Sequence, residues 1–150
     1  MRSSRPAARE FIAGYCICHD ISERAMQLEH GGQWVKGKSY PGFGPLGPWL
    51  VTADSVADAN ALPMWLRVNG QVMQASNTGQ MIFGVDYLVA YLSKLMLLRA
   101  GDLITTGTPS GVGMSRKPPR FLGVDDQISL GIEGLGVQQH RIVSKSAPAK

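Results

Sequence analysis

The stretch MWLRVNGQVM, residues 64–73, decides the fold class. Two apolar, β-favouring runs flank Asn69-Gly70. That dipeptide suits a type I′ turn, which needs two successive residues in the left-handed region. The stretch therefore predicts a β-hairpin.

Reading outward, residues 11–18 (FIAGYCIC) are apolar and rich in aromatic and β-branched residues, the pattern of a buried strand. Further short strands are expected at residues 50–53, 103–106, 128–133 and 137–143, the last two joined by a turn at Gly134-Leu135-Gly136. Only two helices are expected. In residues 85–97, Val85, Leu88, Val89, Leu92, Leu95 and Met96 share one face at i, i+3, i+4 spacing. Residues 24–29 read as a short helix. Asp20 and Glu23 have capping-box spacing before it, with Asp20 as N-cap, and His30-Gly31-Gly32 ends it. A parallel sheet would need several crossover helices. A mainly β, α+β domain, a mixed β-sandwich or roll with one main helix, fits better.

The chain has 150 residues, 44% apolar and 17% charged, which suits one globular domain with its own core. That domain is expected over residues 10–143, with tails at 1–9 and 144–150. The net charge of +4 sits at the two ends and in residues 115–120, without interleaved aromatics, so nucleic-acid binding is not expected. The run 116–120 reads as an exposed basic loop. No apolar stretch is long enough to span a membrane, and the basic start is not followed by a signal-type apolar region. Cys16 and Cys18, two residues apart in a predicted strand, read as buried free thiols in a reducing cytoplasm. His19, His30 and His140 have no ligand-like spacing and are expected to be structural or on the surface.

Three polar, glycine-bearing segments follow strands or lie in loops: residues 20–27, 33–49 and 106–113. Such positions carry working residues. Residues 107–113 (GTPSGVG) lack the phosphate-loop pattern but offer backbone N–H groups and the Thr108 hydroxyl to an oxyanion. By residue type alone, Asp20 is a helix cap or a metal ligand. Lys38 is a solvated lysine or a carboxylate-binding one.

Taken in order, the segments resemble the fumarylacetoacetate hydrolase family. The matching stretches are GYCICHDISERAMQ (14–27), QWVKGKSY (33–40), GPLGPWLVTAD (44–54), WLRVNGQVMQASNTGQMIF (65–83), GDLITTGTPSGVG (101–113), KPPRFL (117–122) and GIEGLG (131–136). KPPRFL and GGQWVKGK are most similar to the diketo-deoxy-sugar-acid hydrolase and ureidoglycolate-lyase-like branch. The resemblance implies the family's β-sandwich roll, a homodimer, and a hydrolase or lyase of small 2-oxo or diketo acids. That chemistry cleaves a C–C bond through an enolate stabilised by Mg²⁺ or Mn²⁺. It also implies Asp20 as a metal carboxylate and Lys38 and Thr108 as catalytic residues. Gly107, Thr108, Lys38, Arg24 and Gln27 become substrate-binding residues. The family's other metal carboxylates lie in an E-x-E motif before the GY strand, and no E-x-E occurs in this sequence. The expectation is therefore a truncated domain with weak or absent metal binding. The alternative is a non-catalytic β-rich module that keeps a dimerisation surface.

Overall fold

The computed structural model describes residues 8–144. The tails expected at 1–9 and 144–150 lie outside that range except for residues 8, 9 and 144. In chain order the regular elements are β1 (Gly14–Cys18), α1 (Arg24–Leu28), β2 (Leu46–Thr52), β3 (Pro63–Val68), β4 (Gln71–Asn77), α2 (Val85–Leu95), β5 (Gln127–Ile132) and β6 (Gly136–Arg141). Short 3-10 turns punctuate the loops, among them Trp34–Gly37 and Gly113–Ser115. β1 and β2 form one sheet, and the other runs β4-β3-β5-β6. Every described ladder is antiparallel. The mainly β, two-sheet architecture expected from the sequence is the one observed. No helix among the described residues is long and apolar enough to cross a membrane.

The hairpin forms as its turn chemistry requires. Asn69 and Gly70 have φ of 50° and 79°, both left-handed. Asn69 also docks the turn onto β5. Its N–H donates to the Gln127 carbonyl at 2.8 Å, its side-chain oxygen accepts from the Gln127 N–H at 2.8 Å, and its amide donates to Asp126 at 2.6 Å. Asp126 in turn accepts from the Gly123 N–H at 2.9 Å and pairs with Arg120 at 3.3 Å.

Ile17 of β1 meets Val68, Met73, Ile128 and Leu130 of the four-stranded sheet, with Leu135 closing the end of the core. Burying each such side chain contributes about 1.5–3 kcal/mol. A polar stitch joins the sheets as well. The buried Gln138 amide of β6 donates to the carbonyls of Ile17 (3.1 Å) and Gly47 (2.8 Å). Both acceptors flank the irregularity in the β1–β2 pairing, where register shifts between Tyr15 and Ile17. Pro48, which has no N–H to give a ladder, sits opposite that gap. Beside this stitch His19 stacks on His140, ring centroids 5.4 Å apart.

Four expectations are corrected. β2 starts at Leu46, not residue 50, because the ladder resumes on the far side of Pro48. Residues 103–106 form no strand and join no ladder; the segment following them is tied to β4 by side chains. α2 forms but ends at Leu95, two residues short of the expected end; Val85, Leu88, Val89 and Leu92 of its apolar face are half-buried, and Leu95 and Met96 are exposed. α1 is capped by Glu23, whose carboxylate accepts from the Met26 N–H at 2.6 Å, and not by Asp20.

Two outcomes follow for stability. Asp126→Ala removes charge-assisted bonds to the hairpin and to the loop before β5. It should cost about 1.5–3 kcal/mol in urea denaturation. Hydrogen bonds from Gly123 and Asn69, and then Arg120, hold the Asp126 carboxyl below its usual range. Its contribution is therefore present above the ordinary carboxyl pKa of 3.8 and fades only below it. His19 titrates in a higher window. Burial, then the neighbouring His140, lowers its pKa from 6.5 to about 4, against an opposing pull from Asp20. Between those values the unfolded chain binds more protons than the folded one, so stability falls as pH drops from 6.5 to 4. Denaturation midpoints across that range should flatten in His19→Gln.

Candidate active site

Asp20, Arg24, Gln27, Lys38, Gly107 and Thr108, the residues singled out from sequence, all line one cleft of about 1420 Å³. Three segments bring them together: the chain leaving β1, the 3-10 turn after α1, and the loop that passes β4.

The first two segments are pressed together at Gly37. A Cβ there would lie 2.5 Å from the Glu23 carbonyl oxygen and 2.7 Å from Gln27 Cβ. The close approach lets the Glu23 N–H donate to the Gly37 carbonyl at 2.9 Å. The next residue, Lys38, is thereby carried over the start of α1. Its ammonium donates to Asp20 Oδ2 at 2.5 Å and to Ser22 Oγ at 2.7 Å. An ammonium has three donors, so one is left for a ligand.

Within α1, Nη1 of its first residue, Arg24, donates to Gln27 Oε1 at 2.7 Å. Gln27 is 0% exposed, and its Nε2 has no partner. A buried amide nitrogen without an acceptor costs about 1–3 kcal/mol. An oxygen of a bound molecule would remove that cost. Across the cleft Thr108 is exposed in the third segment, its Oγ1 2.9 Å from Gln74 Nε2. Trp34, Phe43, Leu66, Phe121 and Ile132 give much of the remaining wall an apolar surface, alongside polar members such as Glu29 and Arg120.

Of the carboxylates that line the same cleft, Asp20 faces Lys38, Glu23 caps α1 and Glu29 lies at its end; Lys38, Arg24, the Gln27 amide and the Thr108 hydroxyl form the donor set. Such a set suits an anion with several oxygens, such as a carboxylate beside a carbonyl. Cys18 also lines the cleft, but burial and then the Asp20 charge push its thiol pKa up. It stays protonated and is a poor nucleophile.

A divalent cation fits these residues less well. Mg²⁺ and Mn²⁺ want near-octahedral sets of oxygen ligands. Among the described residues no three His, Cys, Asp or Glu side chains converge. Asp20 is a single carboxylate, already paired with Lys38. Asp20 is the one ligand these residues offer, and they do not by themselves make a metal site.

Three residues at or behind the cleft escaped the sequence reading. Ser22 lies inside HDISER, two residues from Asp20, and could have been flagged by that spacing. Gln74 and Arg116 carry no local signature. Arg116, expected in a solvated loop, instead reaches back to the Met73 carbonyl at 2.8 Å.

Residues 1–143 match the family described as fumarylacetoacetate (FAA) hydrolase C-terminal. A relative from Burkholderia cenocepacia (strain HI2424) is 55% identical over 135 residues, covering 89% of this chain and 48% of the relative. Among solved structures, a fumarylacetoacetate hydrolase from psychrophilic Exiguobacterium antarcticum superposes with a TM-score of 0.92 at 39% identity. It covers 96% of this chain and 51% of the other. A 2-hydroxyhepta-2,4-diene-1,7-dioate isomerase from Mycobacterium marinum gives 0.84 at 38%, covering 97% and 54%. A maleylpyruvate hydrolase from Sphingobium sp. SYK-6, solved with manganese(II) ion and pyruvate, gives 0.79 at 33%, covering 95% and 48%. The chain spans about half the length of the curated relatives it matches. On sequence and fold alike, this chain belongs to the fumarylacetoacetate hydrolase family, of which it matches the C-terminal domain.

Proposed function

We propose that this chain provides the oxo-acid-holding wall of a hydrolase or lyase active site for small 2-oxo or diketo acids. The observation that carries this is the buried Gln27 Nε2, unpartnered while its Oε1 accepts from Arg24, in the cleft that also holds Lys38 and Thr108. The pyruvate bound to the maleylpyruvate hydrolase neighbour supports the same substrate class.

In the proposed reaction, water adds to the distal carbonyl carbon of a diketo acid. The C–C bond then breaks, its electron pair passing to the 2-oxo-acid fragment as an enolate, which takes up a proton. Lys38 and Thr108 hold the charged oxygens of that fragment through both steps. Arg24 and Gln27 hold the carboxylate end. The apolar wall receives the rest of the substrate and keeps water from the donors. A divalent ion such as Mg²⁺ or Mn²⁺ would supply Lewis-acid polarisation of the carbonyl when bound. Asp20 is the ligand this chain would contribute. A homodimer belongs to the same proposal, supported by exposed apolar side chains such as Trp49 and Leu50 on β2.

Pyruvate titration followed by NMR shifts tests the anion wall. Lys38→Met and Gln27→Leu should each weaken pyruvate binding roughly 10- to 100-fold, as expected for a lost bond to a charged group. Pyruvate that leaves the signals of residues 20–38 and 107–113 unmoved would overturn the assignment. A metal titration is the complement. Mn²⁺ added to the chain and followed by water-proton relaxation should show only weak binding, diminished further by Asp20→Asn. Tight binding that ignores Asp20→Asn would place the metal elsewhere. Release of pyruvate from acetylpyruvate measures turnover directly, and its absence alongside normal pyruvate binding favours a non-catalytic module.

A further inference from the structure

We infer that Gln74 is a positioning residue for Thr108: it occupies the threonine oxygen as acceptor and so reserves the hydroxyl proton for the substrate's anionic oxygen. The inference rests on the oxo-acid reading of the cleft.

It begins with an irregularity in β4. Leu66 pairs with Gln74 and the next residue, Arg67, pairs with Val72, so Met73 is an extra residue in the strand. A bulge of this kind releases the backbone from the ladder and re-aims the neighbouring side chain. Both consequences are visible. The Met73 carbonyl accepts from Arg116 Nη2 at 2.8 Å. Gly111, at φ 104°, comes so close that a Cβ would lie 2.2 Å from the same carbonyl oxygen. The bulge is thus the berth on which the 107–116 segment rests. Gln74, directly after it, reaches into that segment with both donors of its amide: Nε2 lies 2.9 Å from Thr108 Oγ1 and 2.7 Å from the Pro109 carbonyl oxygen.

The direction of the Thr108 bond is set by Pro109. A carbonyl only accepts, so the Gln74 group facing it is the NH₂ and not the amide oxygen. The same nitrogen then donates its other proton to Thr108. A hydroxyl has one proton and two lone pairs. With a lone pair engaged by Gln74, the proton turns away from β4 toward the cleft. A threonine without this partner is free to rotate and spends part of its time donating to backbone or water.

Two substitutions separate this role from simple packing. Gln74→Leu keeps the bulk and removes both donors. Gln74→Glu keeps the shape but offers an acceptor, which captures the Thr108 proton. Pyruvate affinity should fall roughly tenfold in Gln74→Leu and further in Gln74→Glu. In a Thr108→Val background, Gln74→Leu should change affinity less than about twofold, because the hydroxyl it serves is gone. Additive losses, or a Gln74→Glu variant that binds pyruvate normally, would overturn the inference. A ligand-free measurement keeps it apart from the oxo-acid reading. The Thr108 Hα–Hβ coupling should report one rotamer in the parent chain and an averaged value in Gln74→Leu, with matching far-UV spectra showing that both are folded. If pyruvate fails to bind the parent chain, the oxo-acid reading falls. The positioning of Thr108 by Gln74 then stands on an averaged coupling in Gln74→Leu and is overturned by an unchanged one.

Discussion

The register of β4 on β3 is the constraint on which the site depends. It is set at one end by the Asn69-Gly70 turn, whose left-handed geometry only a few residue types accept without strain. From that turn the strands pair in step as far as the bulge at Met73. A one-residue slip would turn Gln74 to the opposite face and remove the berth under the 107–116 segment. Thr108 is thus placed by a hairpin turn almost forty residues earlier in the chain.

The other wall depends on a close approach and not on a register. Gly37 lies against the backbone of α1, and that contact lets Lys38 reach Asp20 and Ser22. The carboxylate pair partner and the hydroxyl together hold the ammonium in place without using all its donors. The unpartnered Gln27 nitrogen lies in the same neighbourhood. A chain selected only for stability would have little reason to keep that amide buried. The arrangement leaves a donor open to a ligand oxygen, as in sites that trade stability for preorganised polarity.

The apolar face of α2 is only partly covered in the described chain, with Val85, Leu88, Val89 and Leu92 half-buried and Leu95 and Met96 exposed. Phe83, Tyr87 and Tyr91 stack on one another along another side of the helix, at centroid separations of 4.4 and 6.0 Å. Helical periodicity reports that a face is apolar but not what covers it. The same limit applies to residues 103–106. Their β-favouring composition was legible, but a strand needs a neighbour with free ladder groups. The segment that follows them meets the edge strand β4 through the side chain of Gln74 and the bulge carbonyl, not through a ladder.

By itself, the sequence determined the β-rich class, the hairpin, both helices and the family. It also singled out Asp20, Arg24, Gln27, Lys38, Gly107 and Thr108, which line one cleft. These follow from local turn chemistry, from periodicity and from ordered motifs, all of which are written in neighbouring residues. Only the tertiary structure decided that Glu23, not Asp20, caps α1. Both carboxylates have the right residue type near the helix start, and the arrival of Lys38 from eighteen residues away claims Asp20. Only the tertiary structure revealed Ser22, Gln74 and Arg116 as supports. Each acts through a bond to a partner set by packing and register; only Ser22, two residues from Asp20, carries a local hint of its role.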